Sequence, residues 1–145
     1  MDEIMIRRSV RSYVDKSVEK VKIEKLLRAA MQAPSACNEQ PWEFIVVENK
    51  DTLKKLAATS PYTKLLAKAP LTFVLLANRQ KLISPGSWQQ DMAAATENIL
   101  LEAVSLGLGA VWMGVCANQE RVDYLKETFA LAENLMPFCL IAIGH

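Results

Sequence analysis

The chain has 145 residues, 51% hydrophobic and 23% charged, the size and make-up of one ordinary globular domain with apolar residues enough for a core. Seventeen basic residues face sixteen acidic ones, a formal net charge of +1, so no field of one sign draws in nucleic acid or an anionic membrane. Any basic site must be local. Cys37, Cys116 and Cys139 are odd in number, widely spaced and without a C-x-x-C pair, which argues against a disulfide framework and for a reducing, cytoplasmic compartment.

The opening Met1-Asp2-Glu3-Ile4 is acidic where a secretory signal is basic. Apolar residues at Ile23, Leu26, Leu27, Ala30 and Met31 predict a helix from about Val21 to Gln32, ended by Ala33-Pro34. Glu43 to Glu48 reads as a buried strand and Asp51 to Ala58 as a helix with Leu53, Leu56 and Ala57 on one face. Leu71 to Leu76 is a second buried strand after the breaker Pro70. Ser84-Pro85-Gly86 predicts a turn, and Ser87-x-x-Gln90 resembles a capping box that opens a long helix to about Leu106.

That helix carries Met92, Ala93, Ala94, Ala95, Ile99, Leu100, Leu101, Ala103, Val104 and Leu106 around its whole circumference. A helix apolar on nearly all sides needs cover on nearly all sides, and in a small domain a partner subunit is a natural source of it. Gly107 is the expected helix stop. Ala110 to Cys116 predicts a third strand, Gln119 to Thr128 a short helix, and Phe138 to Ile143 a fourth strand. The charge-free run from Ala103 to Gln119 is shorter than the roughly 20 apolar residues of a membrane span, and three glycines interrupt it. Helices alternating with apolar strands give an α/β or α+β layered domain; periodicity leaves open whether the sheet is parallel or mixed.

Three stretches hold the residue types from which a binding site is made. Arg7, Arg8, Ser9 and Arg11 concentrate guanidinium groups and a hydroxyl, and residues 7 and 11 share a face in either a helix or a strand. A planar guanidinium fork suits phosphate, although by residue type alone a solvated basic terminus is the more economical reading. The run Ala33 to Trp42 is stiffened by Pro34 and Pro41, with Ser35, Ala36 and Asn38 small enough to admit a flat ligand to the backbone. It reads equally well as a helix-to-strand connection with Trp42 in the core. In Trp112-Met113-Gly114 a glycine can let a backbone N–H face a ligand, although a bend in a core strand is the simpler account.

Gly107-Leu108-Gly109 follows a helix rather than a strand, so it is not a dinucleotide turn. His145 is the only histidine, which excludes histidine triads and multi-histidine metal sites. Asp91 and Glu97 lie six apart and need not converge as paired carboxylates, and Cys37 has no histidine to activate it. An enzyme with this equipment depends on a cofactor for its chemistry.

Arg7-Arg8-Ser9-Val10-Arg11-Ser12-Tyr13, Ala33 to Trp42, and Ala103 to Gly109 resemble three successive blocks of the FMN-dependent nitroreductase family. Ile141-Ala142-Ile143-Gly144 is similar to that family's last core strand, and the order and spacing match over essentially the whole chain. The resemblance implies an α+β fold, with residues 1–145 forming one FMN-binding domain whose mixed β-sheet is flanked by helices. It further implies an intertwined homodimer, with the long helix at its centre and FMN at each subunit interface.

By the same resemblance Arg7, Arg8 and Ser9 hold the phosphate and ribityl chain, and Arg11 approaches the N1/O2 edge of the ring. Pro34, Ser35, Ala36 and Asn38 come from the partner subunit; Trp112, Met113 and Gly114 line the ring, with a backbone N–H at N5. The implied activity is hydride transfer from NAD(P)H through flavin N5 to an electron-poor acceptor, a nitroaromatic or quinone, by a ping-pong mechanism. The flavin carries the chemistry and no side chain is assigned a catalytic role. A flavin-binding protein with little turnover (a cofactor store or sensor) is the alternative, as is a specialised member that degrades flavin or removes halogen. Family members usually continue past the Ile-Gly strand into a tail that offers another Lys or Arg to the phosphate. This chain stops at His145, the pattern of a short form or of a sequence lacking that segment. Loss of one such contact is expected to cost about 1.5–3 kcal/mol, one to two decades of affinity.

Overall fold

A computed structural model describes residues 2–145. The elements in chain order are α1 (Glu3–Ile6), α2 (Lys20–Met31), β1 (Trp42–Val47), α3 (Lys50–Ala57), β2 (Leu71–Asn78), α4 (Trp88–Ser105), β3 (Gly109–Gly114), α5 (Gln119–Thr128) and β4 (Leu135–Gly144). The four strands form one sheet in the order β1-β2-β4-β3, with every adjacent pair antiparallel. Its parallel component is a single bridge between Ser9 and Ala110, where the segment after α1 runs along the outer edge of β3. The fold is therefore α+β with helices on both faces of the sheet.

Alternation along the strands divides the core in two. Leu71, Phe73, Leu75, Ala77, Ile141 and Ile143 point toward α2 and α4, where Leu26, Ala30, Met92, Ala95, Ile99 and Ala103 meet them. Val74, Leu76, Leu140, Ala142, Val111 and Met113 point the other way, onto Leu53 and Leu56 of α3, Leu66 of a following turn, and Leu125 of α5. Both central strands are buried on both faces, which is why β2 and β4 read as unbroken apolar runs. The β2–β4 register shifts between Leu75 and Leu76, so β4 carries an extra residue near Pro137 and Phe138. The bulge lets β4 begin at Leu135, three residues before the expected start.

Several local expectations are met for the expected reason. Helix α4 ends in a Schellman cap: Leu108 N–H bonds the Ala103 carbonyl at 2.8 Å and Gly107 N–H the Val104 carbonyl at 3.0 Å, with Gly107 at φ 72°. Asn118 caps α5 by accepting from Arg121 N–H. The capping box at Ser87 does not form. Ser87 already has helical backbone angles, and its hydroxyl pairs with Ser84 at 2.9 Å because Pro85–Ser87 makes a turn of 3-10 helix first. Met31, expected on the core face of α2, is exposed in the last turn.

Candidate functional site

The outer edge of β3 positions the early arginines. Val10 N–H bonds the Ala110 carbonyl at 3.0 Å, so Ala110 turns its peptide groups outward, away from β4. Peptide groups alternate in direction along an antiparallel strand, so Trp112 and Gly114 also present N–H and C=O outward while residues 111 and 113 bond to β4. The Val115 N–H, which bonds the Phe138 carbonyl of β4, fits the same alternation. From Gly109 to Gly114 this edge runs about 17 Å.

Two concavities follow it. At one end, a cavity of about 170 Å³ is lined by Arg7, Arg8 and Val10 together with Leu100 and Val104 of α4. Arg7 Nε lies 3.7 Å from Glu97 Oε1, a half-exposed pair worth about 0–1 kcal/mol. The Ser9 side chain is exposed and makes no hydrogen bond among the described residues. At the other end a groove of about 480 Å³ is lined by Arg11, Ser60, Tyr62, Trp112, Gly114 and Arg121, among others. Arg121 donates from Nη1 to the outward Gly114 carbonyl at 3.0 Å and lies 5.5 Å from the Tyr62 ring centroid.

Met113 also lines this groove, although its side chain belongs mainly to the core beneath. Trp112 stands on the opposite face, 37% exposed, tilted against Phe138 at 5.8 Å; Phe138 in turn meets Trp88 edge-on at 6.0 Å. Guanidinium groups at both ends and outward N–H groups between them fit a ligand that is anionic at one end and flat with hydrogen-bonding edges at the other. Arg121 had no signal in the sequence. Arg121 is an ordinary first-turn residue of α5 until the chain folds.

The loop after α2 lies apart from both concavities in this chain and is fastened to the first turn of α4. Ala36 N–H donates to Asp91 Oδ1 at 2.8 Å, Gln40 N–H to Ser35 Oγ at 3.0 Å, and Gln40 Nε2 to Asn38 Oδ1 at 2.7 Å. Cys37, Asn38 and Gln40 all have left-handed backbone angles, with φ of 53°, 51° and 45°. Pro34 and Asn38 are exposed, and Ser35 and Ala36 half-buried. Asp91 lies about 9 Å along the helix axis from Glu97, the partner of Arg7. One chain thus brings Arg7, Arg8 and Ser9 together with Arg11 and Trp112–Gly114 along β3, and holds Pro34–Asn38 elsewhere.

The Nitroreductase family model matches residues 4–61 and 58–145. A protein of Methanothermobacter thermautotrophicus, provisionally named NADH dehydrogenase/NAD(P)H nitroreductase, is 41% identical over the whole of this chain and 76% of its own length. A crystal structure from Clostridium acetobutylicum, provisionally described as an NADH oxidase, superposes with a TM-score of 0.97 at 58% identity, covering 99% of this chain and 86% of its own. A Desulfovibrio desulfuricans nitroreductase solved in complex with FMN does so with a TM-score of 0.88 at 31% identity, covering 99% and 84%. The chain belongs to the nitroreductase family.

Among the described residues no helix is long and apolar enough to cross a membrane, and no group of three or more His, Cys, Asp or Glu is placed to hold a metal ion.

Proposed function

We propose that this chain is a cytoplasmic NAD(P)H-dependent FMN oxidoreductase that works as a homodimer. The observation that carries the reading is the outer edge of β3, where arginines, outward backbone N–H groups and two concavities line up. Arg7, Arg8 and Ser9 hold the phosphate and ribityl chain in the α4 cavity. Arg11 and Arg121 would place positive charge at the polar edge of the ring, and the outward Gly114 N–H would be available to hydrogen-bond it. When bound, FMN supplies the hydride chemistry between NAD(P)H and an electron-poor acceptor, a nitroaromatic or quinone, with the two taking turns at one open face. The chain supplies position, charge and shelter from water.

Two copies are needed because the loop Pro34–Asn38 does not reach the β3 edge of its own chain. Helix α4 also leaves Ala93, Ala94, Leu101 and Val104 only half-buried, beside the exposed Ile4, Met5 and Ile6 of α1. A second copy covers this surface and brings its own Pro34, Ser35, Ala36 and Asn38 over the ring. The FMN complex of the Desulfovibrio relative and the names of the other relatives support the cofactor and the donor.

Purified protein is expected to be yellow and dimeric, with stoichiometric FMN identified by mass spectrometry after release. A colourless monomer that stays unliganded in excess FMN overturns the reading. Stopped-flow reduction by NADH and NADPH separates an enzyme from a flavin store, which holds FMN but accepts hydride very slowly. Arg121→Ala is expected to weaken FMN by about tenfold, because it removes a charge from the ring edge and frees the Gly114 carbonyl. Fluorescence titration measures that loss, and the melting temperature, set by a core Arg121 does not join, stays within a few degrees.

A further inference from the structure

Two buried carboxyl groups stand outside the site as described so far. Glu39, in the loop after α2, is 6% exposed, and Asp91, in the first turn of α4, is 3% exposed. Glu39 Oε1 accepts from the backbone N–H groups of Ile83 at 2.9 Å and Ser84 at 2.8 Å. Asp91 Oδ1 accepts from Ala36 N–H. Three chain segments are thereby tied to two side chains.

The second oxygen of each carboxyl, Glu39 Oε2 and Asp91 Oδ2, is buried without a conventional donor. Each carboxyl acts on the other's proton affinity, holding Glu39 down and lifting Asp91. Ionised carboxylates only accept, so these two buried oxygens can satisfy one another only with a proton between them. The charged surroundings do not supply a substitute. Among the described residues no Lys, Arg or His forms an ion pair with either group, and Asp91 feels chiefly the charge of Glu39 itself. The nearest ionisable neighbours along each element are the exposed Cys37 in the loop, Lys81 before Ile83 (paired with Glu43), and Glu97 farther along α4 (paired with Arg7).

We propose that Glu39 and Asp91 share one proton and serve as a positioning clasp, fastening the Pro34–Gln40 loop to α4 and to Ile83–Ser84 and releasing it when that proton leaves. Its consequence for FMN rests on the function proposed above; the clasp itself does not. With the proton in place, Asp91 donates to Glu39 and the three left-handed residues of the loop stay in their strained geometry. Without it, two buried negative charges face each other, and the Ala36, Ile83 and Ser84 N–H groups lose their common anchor.

The pH window follows from the two directions. Burial, then the bond with Glu39, lifts Asp91 from 3.8 to about 6, so its contribution is full below 3.8 and is lost as pH rises through 6. The bond from Asp91, then those from Ser84 and Ile83, hold Glu39 below its usual 4.5, so its contribution is full above 4.5 and is lost as pH falls. The clasp is tightest between those limits and opens on the alkaline side. Flavin affinity follows it, because the loop it fastens covers the partner's ring.

Asp91→Asn tests this directly: the amide oxygen can still accept from Ala36, and the amide N–H replaces the shared proton. Hydrogen exchange of the Ala36, Ile83 and Ser84 amides is measured by NMR in FMN-free protein between about pH 5 and pH 8, corrected for intrinsic rates, with FMN Kd measured alongside. In the wild type, protection is expected to fall by about tenfold or more across this range, and FMN affinity with the same midpoint. In the Asp91→Asn variant both stay flat. A wild-type profile without a step, or one that Asp91→Asn reproduces, overturns the clasp. If protection titrates as stated but FMN never binds, the clasp stands and the flavin reading falls. If FMN binds with the same pH profile in both proteins, the clasp falls and the flavin reading stands.

Discussion

Replacing Arg7 and Arg11 together with alanine is expected to release FMN from an otherwise folded protein. Each guanidinium contributes charge-assisted hydrogen bonds to an anion or a polar ring edge, worth about 1.5–3 kcal/mol apiece. Lost together they amount to roughly two to four decades of affinity. Equilibrium titration of flavin fluorescence gives the figure, and raised salt should weaken the wild type more than the double variant. The melting temperature of the FMN-free protein is expected to move little, since Arg7 forfeits only its 3.7 Å pair with Glu97 and Arg11 is exposed. Stoichiometric FMN in the double variant would remove the arginines from the phosphate and ring edge.

Gly109→Ala is expected to damage both stability and binding, because Gly109 borders the α4 cavity and lies beneath the segment that carries the arginines. Gly109 and Gly144 lie directly opposite each other across β3 and β4, and cross-strand partners share a face of the sheet. A Cβ on Gly109 falls 2.8 Å from the Cβ of Val10; one on Gly144 falls 2.7 Å from the Pro70 ring and 2.9 Å from the Tyr13 ring. The two glycines thus make the flat place on which the segment from Val10 to Tyr13 lies. Tyr13 pins that segment by donating to the Val10 carbonyl, with the Ala142 carbonyl 3.4 Å away. Overpacking of this kind costs about 1–3 kcal/mol in folding. Arg8 and Arg11 ride on the displaced segment, so FMN affinity is expected to fall by more than tenfold as well, because a small misplacement of a binding group is costly. Calorimetry and flavin titration on one preparation separate the two losses. A stable Gly109→Ala protein with undiminished affinity would show that the segment does not need its seat on β3.

The elements legible in the sequence are those whose signal is local. Helix α5 begins and ends where its pattern places it, and Gly107 stops α4 because only a left-handed residue completes that cap. β2 and β4 were legible as apolar runs, although nothing local indicated the bulge that lengthens β4. Ser87 misled because a capping box is a spacing rule, and the neighbouring Pro85-Gly86 turn had already committed that serine to helical geometry. In the candidate site, the early arginines and the Pro34–Asn38 loop were visible as unusual composition. Glu39, Asp91 and Arg121 were not, because their partners lie 52, 55 and 7 residues away, reached only when α4 and α5 pack against the sheet. A carboxylate in a loop looks solvated until its burial is known.

The order of the strands has a consequence for how the chain is made. β4 is the last of the four to be synthesised, yet it lies between β2 and β3. A growing polypeptide therefore carries β2 with only β1 beside it, and β3 with only the short Ser9–Val10 segment at its outer edge. Apolar strands in that condition are templates for wrong pairing. Until Leu135–Gly144 emerges from the ribosome, correct assembly depends on keeping those edges apart, and a nascent chain stalled before that point holds two half-sheets that cannot find each other.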